Sequence, residues 1–197
     1  MAAPASFVYP SHPDLVHYPH PLLRKRAAPV TVFDDGLRDF CQRMFAVMEL
    51  NRGIGLAAPQ VAVSRRIFVT DHARKRDDPL PGDRRIWINP RIENPEGETS
   101  YEEGCLSFPG IYAKVVRHNR FTIAYHDEWG AERRLGIDVE AGDFLGIVVQ
   151  HELDHLDGTV FVEHLTPAQL TLVRKRLKEL ESDYKQEHGS AGAVLRR

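Results

Sequence analysis

The chain has 197 residues, enough for one domain and too few for two comfortable ones. Apolar residues make up 42% and charged residues 27%, which excludes wholesale disorder, and a formal net charge of -2 argues against a general or sequence-specific nucleic-acid binder. Two cysteines exclude a disulfide framework, no apolar run approaches the roughly 18 residues of a membrane helix, and the first residues lack the pattern of a secretory signal, so the expected setting is the cytoplasm, with no membrane partner.

Residues 1–6 are small and are expected to form a flexible end. Phe7 to Arg26 carries Pro10, Pro13, Pro19 and Pro21 and should be extended and turn-rich. Asp34 to Arg52 reads as a helix capped by Asp34 or Asp35, with Leu37, Phe40, Cys41, Met44, Phe45 and Met48 on one face and Gly53 as its stop. Cys41 is core filler on that face. Ile67–Thr70 and Ile86–Ile88 are short β-type runs, and the polar stretch Asp71 to Arg85 between them reads as an exposed loop. Phe121–Tyr125 and Glu132–Ile137 flank a turn at Trp129-Gly130 and form a hairpin.

Asp143 to Asp157 is a second helix, ended by Gly158. Its first half is apolar on every side, which belongs in the middle of a domain. Thr166-Pro167-Ala168-Gln169 starts a third helix, with Thr as cap, Pro at the first position and Gln three after the cap. Leu170, Val173, Leu177, Leu180 and Tyr184 form its stripe, and 188–197 is expected to be a flexible tail. Strands and helices come in blocks rather than alternating, so the fold class is α+β. One catalytic domain is expected over residues 7–187.

His151-Glu152-Leu153-Asp154-His155 is an HExxH sequence inside the second helix. Residues four apart share a helix face, so both imidazoles can reach one metal ion. Glu152 adjoins them and is a candidate proton acceptor in metal-assisted hydrolysis. Core packing alone does not explain such residues at the end of a buried helix. A catalytic site of this kind needs a third protein ligand. The longer pattern with a downstream His fails, because Phe161 occupies that position. Glu179, in a segment that partly resembles thermolysin-like enzymes, lies roughly 130° from the stripe of its helix at about 100° per residue, towards solvent. A metallopeptidase using Glu179 is the rival enzyme reading. Cys105, in Glu102-Glu103-Gly104-Cys105-Leu106-Ser107, is the other candidate; its bland alternative is a buried inert thiol.

Gly53-Ile54-Gly55-Leu56-Ala57-Ala58-Pro59-Gln60 follows the first helix. Its small residues allow close approach by a ligand, and Gln60 offers a neutral amide donor. With GIGLAAPQ, EGCLS and HELDH in this order, the chain resembles the peptide deformylase family over roughly residues 7 to 165. Tyr18–Arg24 and Ile88-Asn89-Pro90 fit the same family. The resemblance implies antiparallel β-sheets around a central HExxH helix and removal of the formyl group from N-formylmethionyl nascent peptides. It also implies one divalent metal, Fe(II) natively with Zn(II), Ni(II) or Co(II) as replacements. Cys105, His151 and His155 would hold that metal and Glu152 would be the acid/base. Gln60 and the N–H of Leu106 would face the oxyanion, and Gly55 would contact the substrate backbone. Ile54, Phe144, Ile147 and Val148 are candidates for the methionine pocket. Some bacterial relatives dock on the ribosome through a C-terminal helix, and Arg174, Lys175, Arg176, Lys178 and Lys185 give the third helix here a basic component.

Overall fold

The computed structural model describes residues 7–72 and 83–195. The element order is α1 (Asp35–Leu50), β1 (Gly55–Ala57), β2 (Ile67–Asp71), β3 (Arg84–Gly104), β4 (Tyr112–His126), β5 (Glu132–Asp138), α2 (Leu145–Asp157) and α3 (Pro167–His188). The α+β expectation holds: one antiparallel sheet in the order β1-β2-β3-β4-β5 accompanies three helices.

Asp34 caps α1 by accepting from Leu37 N at 2.9 Å, and the six expected apolar residues are its buried face. Gly53 is not the stop. Asn51 is the C-cap, and Arg52 rather than a glycine takes the left-handed conformation, with φ 57°. Cys41 is buried in this core, and burial pushes its thiol up to about 12, consistent with filler.

The stretch expected as a loop over Asp71 to Arg85 starts and ends as sheet. Asp71 pairs with Arg84 and Thr70 with Arg85, while residues 73–82 lie outside the described residues. β3 far outruns the apolar triplet at 86–88 because a polar strand on a sheet surface leaves no hydrophobic run. Register shifts interrupt β3–β4 between Ile88 and Arg91 and between Glu93 and Glu96, at Pro90 and Pro95. Proline has no N–H for the ladder, so the strand bulges there. Asn89, within the first bulge, exchanges two 2.8 Å hydrogen bonds with the backbone of Val30 and ties the N-terminal segment to the sheet.

Helix α2 lies against the sheet, with Leu145, Val149 and Leu156 packed among Phe68, Trp87 and Ile123. Gly146 permits this approach, since a Cβ there would come within 2.5 Å of Val139 and 2.6 Å of Ile137. Gln150 accepts from His118 N (2.8 Å) and donates to His118 O (3.0 Å), so its amide behaves as a further strand residue beside β4. These contacts fix the helix that carries HExxH. Gly158 ends it in the left-handed region, φ 74°.

The expected capping box opens α3: Thr166 and Gln169 cap one another. Of its stripe only Leu177 and Leu180 are fully buried; Leu170, Val173 and Tyr184 are half-buried. The tail does not project freely along residues 189–195. Ala193 N donates to Pro19 O at 2.8 Å, Leu195 N donates to the Tyr18 hydroxyl at 2.9 Å, and Leu195 packs on the core beneath α3. Leu195 supplies the apolar anchor that an unstructured end would lack. Residues 1–6, expected to be flexible, lie outside the described residues.

Candidate metal centre and active site

Three elements converge on one point. Helix α2 supplies His151 and His155 one turn apart, the turn after β3 supplies Cys105, and the short helical turn Ala58–Val61 supplies Gln60. One ligand atom each from Cys105, His151 and His155 lies within 4.8 Å of the others. Cys105 Sγ stands 3.3 Å from His155 Nε2. His151 uses Nδ1 on Glu103 Oε2 at 2.8 Å, which turns Nε2 to the cluster. Glu179 is not there: it pairs with Arg176 at 3.1 Å, half-exposed on α3. Phe161 packs its ring 5.8 Å from that of His151, as a wall.

This donor set fits a divalent ion. One thiolate and two neutral imidazoles are the ligands of borderline metals, and three of them leave a position open. Two buried atoms here have no hydrogen-bond partner, Glu152 Oε2 and His155 Nδ1. An unsatisfied carboxylate oxygen beside such a cluster is a costly feature in a merely structural site.

Burial pushes Glu152 up to about 7. Burial and the charge of His151 bring His155 down to about 3, so its imidazole is neutral and ready to ligate. Burial also disfavours charged His151, but hydrogen bonds with Cys105 and Glu103 and the charges of Cys105 and Glu152 outweigh it and raise this group well above its ordinary value.

Gln60 is held rigidly. Its Oε1 accepts from Ala57 N at 2.7 Å, which aims Nε2 at Ser107 Oγ (3.3 Å) and Cys105 Sγ (3.5 Å). Gly55 must lack a side chain: a Cβ would come within 2.5 Å of Glu152 Oε1 and 2.8 Å of Val148. A cavity of about 610 Å³ opens beside these groups and is lined by Ile54, Leu106, Phe144, Ile147 and Val148, among others. Of the site residues implied by the family resemblance, all line this cavity except His155, whose Nε2 stands 3.3 Å from Cys105 Sγ behind the lining.

Sequence reasoning missed the support behind this site. Arg117 donates to both oxygens of Glu103 (2.7 and 2.9 Å) and to Asp154 Oδ2 (2.6 Å), which also meets His164 Nε2 at 2.8 Å. Burial raises Glu103, but hydrogen bonds from Arg117 and His151 win and leave it at about 2. Asp154 likewise ends at about 2, its burial outweighed by His164 and Arg117. The signal was present in the alternation of β4: Val115 and Arg117 are the inward positions between exposed Lys114, Val116 and His118. A charge on the inward side of a strand needs a buried partner.

Comparison with known proteins gives a single family. A model described as "Polypeptide deformylase" matches residues 13–171. A peptide deformylase from Chromobacterium violaceum is 44% identical over 168 residues, 85% of this chain and 95% of the relative. One from Neisseria meningitidis is 43% identical over 166 residues, 84% of this chain and 94% of the relative. Among solved structures, a plant peptide deformylase 1B aligns with TM-score 0.87 at 33% identity, covering 94% of this chain and 97% of that one. A Plasmodium falciparum peptide deformylase aligns with TM-score 0.83 at 39% identity, covering 90% and 100%.

Proposed function

This chain belongs to the polypeptide deformylase family, and from that premise we propose how its own residues carry out the family's reaction. The reaction is hydrolysis of the formamide at the N-terminal formylmethionine of new polypeptides, which yields formate and a free amine. The enzyme is a metal-dependent hydrolase. The observation that carries the assignment of roles is the Cys105–His151–His155 cluster with the unpartnered, raised carboxyl of Glu152 beside it.

Cys105, His151 and His155 would hold one divalent metal; Fe(II) in the cell, with Zn(II), Ni(II) or Co(II) able to replace it, is assigned from the family resemblance, since a thiolate with two imidazoles suits any of these ions. When bound, a divalent ion supplies Lewis acidity to water and to the formyl carbonyl. Glu152 takes the proton from the attacking water and returns it to the leaving nitrogen. Its buried carboxyl, with one oxygen free of any hydrogen-bond partner, is placed for both transfers. Gln60 Nε2 and the N–H of Leu106 donate to the oxygen of the formyl group as charge develops. Gln60 is suited to this because its own oxygen is already committed to Ala57. Gly55 gives the substrate backbone close access, and Ile54, Phe144, Ile147 and Val148 form the apolar wall for the methionine side chain.

Two partner readings accompany this one. No helix among the described residues is long and apolar enough to cross a membrane, and we assign the work to the cytoplasm, where new chains are made. The outer face of α3 presents exposed Arg174, Lys175 and Lys178, which supports docking on an anionic surface of the ribosome.

The test is anaerobic hydrolysis of formyl-Met-Ala-Ser with metal analysis of the same sample. Glu152→Ala should keep the metal and lose about 10²–10⁴-fold in turnover. Wild-type turnover by a metal-loaded Glu152→Ala protein would remove Glu152 from the mechanism.

A further inference from the structure

Residues 16–18 touch two parts of the site at once. Val16 N donates to Gln60 O at 2.8 Å, and Tyr18 N donates to Ser107 O at 2.9 Å. Gln60 and Ser107 also meet through their side chains, at 3.3 Å. One short stretch is therefore a strut between the turn that carries Gln60 and the turn that carries Cys105. The ring of Tyr18 adds to the second tie. It is buried and stacks on Phe108 at 4.8 Å between ring centres, and Phe108 N donates to Cys105 O at 2.9 Å. Phe108 in turn meets Phe161, the wall beside His151.

Tyr18 is itself gripped from behind. Its hydroxyl donates to Glu181 on α3 at 2.8 Å and accepts from Leu195 N at 2.9 Å. A buried hydroxyl whose donor and acceptor are both engaged holds its ring in one place. The chain after α3 is shaped for this contact. Gly192 sits at φ 62°, and a Cβ there would collide with Pro19 O and with the Tyr184 ring. Glycine lets the backbone lie this close, after which Ala193 N reaches Pro19 O at 2.8 Å and Leu195 packs on the core.

We propose that Tyr18 is a positioning residue of the site and that residues 189–195 are its latch, so that the C-terminal tail fixes Cys105 and Gln60 relative to one another. Neither Tyr18 nor the tail lines the cavity, so both act through other residues. This rests on the roles given above to Cys105 and Gln60.

The experiment uses the Zn(II)-loaded full chain and two variants of it. Gly192→Val should expel the tail, and Tyr18→Phe keeps the stacked ring but loses the hydroxyl. In both, transfer of Zn(II) to a coloured chelator should be roughly 2- to 10-fold faster, the size expected for loss of a typical hydrogen bond. Turnover of formyl-Met-Ala-Ser should fall by a similar factor in kcat with KM nearly unchanged. After metal removal, an aromatic disulfide reagent should label Cys105 faster in both variants, while Cys41, fully buried against α1's neighbours, stays unlabelled. A general loss of stability would expose both thiols together. A wild-type rate of zinc transfer or a wild-type kcat in either variant overturns the strut, and so does labelling of Cys41 alongside Cys105. A wild type that hydrolyses no formyl peptide overturns the deformylase reading instead, and zinc transfer with thiol labelling then decides the strut.

Discussion

Glu103 holds His151 by a 2.8 Å hydrogen bond to Nδ1, and both oxygens of the same carboxylate are gripped by Arg117. The imidazole is thereby set with Nε2 towards Cys105 and His155 before any ion arrives. Partners of this kind orient ligands, and their loss typically costs about 10–100-fold in metal affinity. Glu103→Ala should show such a loss in competition with a chelator, while Glu103→Gln, which keeps an acceptor oxygen, should lose less. Equal affinity in all three proteins would deny the carboxylate its orienting role.

Arg117 is a buried cation whose removal leaves Glu103 and the partly buried Asp154 without their common partner. Breaking a buried pair from one side costs about 3–5 kcal/mol. Arg117→Ala should therefore unfold at clearly lower denaturant than the wild type, measured on metal-free protein so that ligand binding does not mask the loss. A change below about 1 kcal/mol, the range of a surface pair, would mean that water replaces the guanidinium.

Metal binding should expel protons. In the metal-free protein His151 is held protonated well above its ordinary range by Cys105 and Glu103, which outweigh its burial. It must be neutral to ligate, whereas His155, at about 3, already is. The sign follows: affinity rises with pH, because fewer protons need to leave, and falls as the solution is acidified. Addition of Zn(II) to weakly buffered metal-free protein should release acid, read with an indicator dye. Affinity that stays flat across the neutral range would contradict the charged state of His151.

Much of this was legible from residues. The HExxH spacing marks a face of α2, the Thr166–Gln169 box marks the start of α3, and the apolar period of α1 returns as its buried face. The supporting charges were legible only in part: alternation along β4 turns Arg117 inward but does not name its partners. Glu103 meets Arg117 across a strand pair, and Asp154 meets His164 ten residues on; sequence spacing does not encode either meeting. β3 was underestimated because its outer half is polar, so it lacks the apolar run that betrays a strand. The stop of α1 was misplaced because Arg52 adopts a conformation that sequence preference assigns to glycine.

Gln60→Leu separates two roles for the amide. Leucine keeps the bulk but neither accepts from Ala57 N nor donates into the site. Loss of one oxyanion donor has cost about 10²–10³ in kcat elsewhere, and a comparable fall with little change in KM is expected here. A rise in KM alone would make Gln60 a binding residue.

The docking role of α3 calls for substitution rather than removal. Leu177 and Leu180 are buried, Tyr18 donates to Glu181 at 2.8 Å, and Arg176 donates to Pro109 O at 2.9 Å, in the turn that carries Cys105. A chain cut after Leu165 would uncover core and loosen that turn, so weak ribosome binding by it would say nothing about docking. The exposed residues Arg174, Lys175 and Lys178 can be changed to glutamate with Arg176 left in place. If these cations meet RNA phosphates, the triple variant should co-sediment with ribosomes less than the wild type at low salt. The difference should shrink as salt rises, since each phosphate contact contributes about 0.7–0.9 to the slope of log affinity against log salt. Hydrolysis of formyl-Met-Ala-Ser, measured on the same preparations, reports whether the fold survived. Equal co-sedimentation of a folded triple variant and the wild type would discard α3 as the docking element and leave its place in the enzyme as a brace behind Cys105.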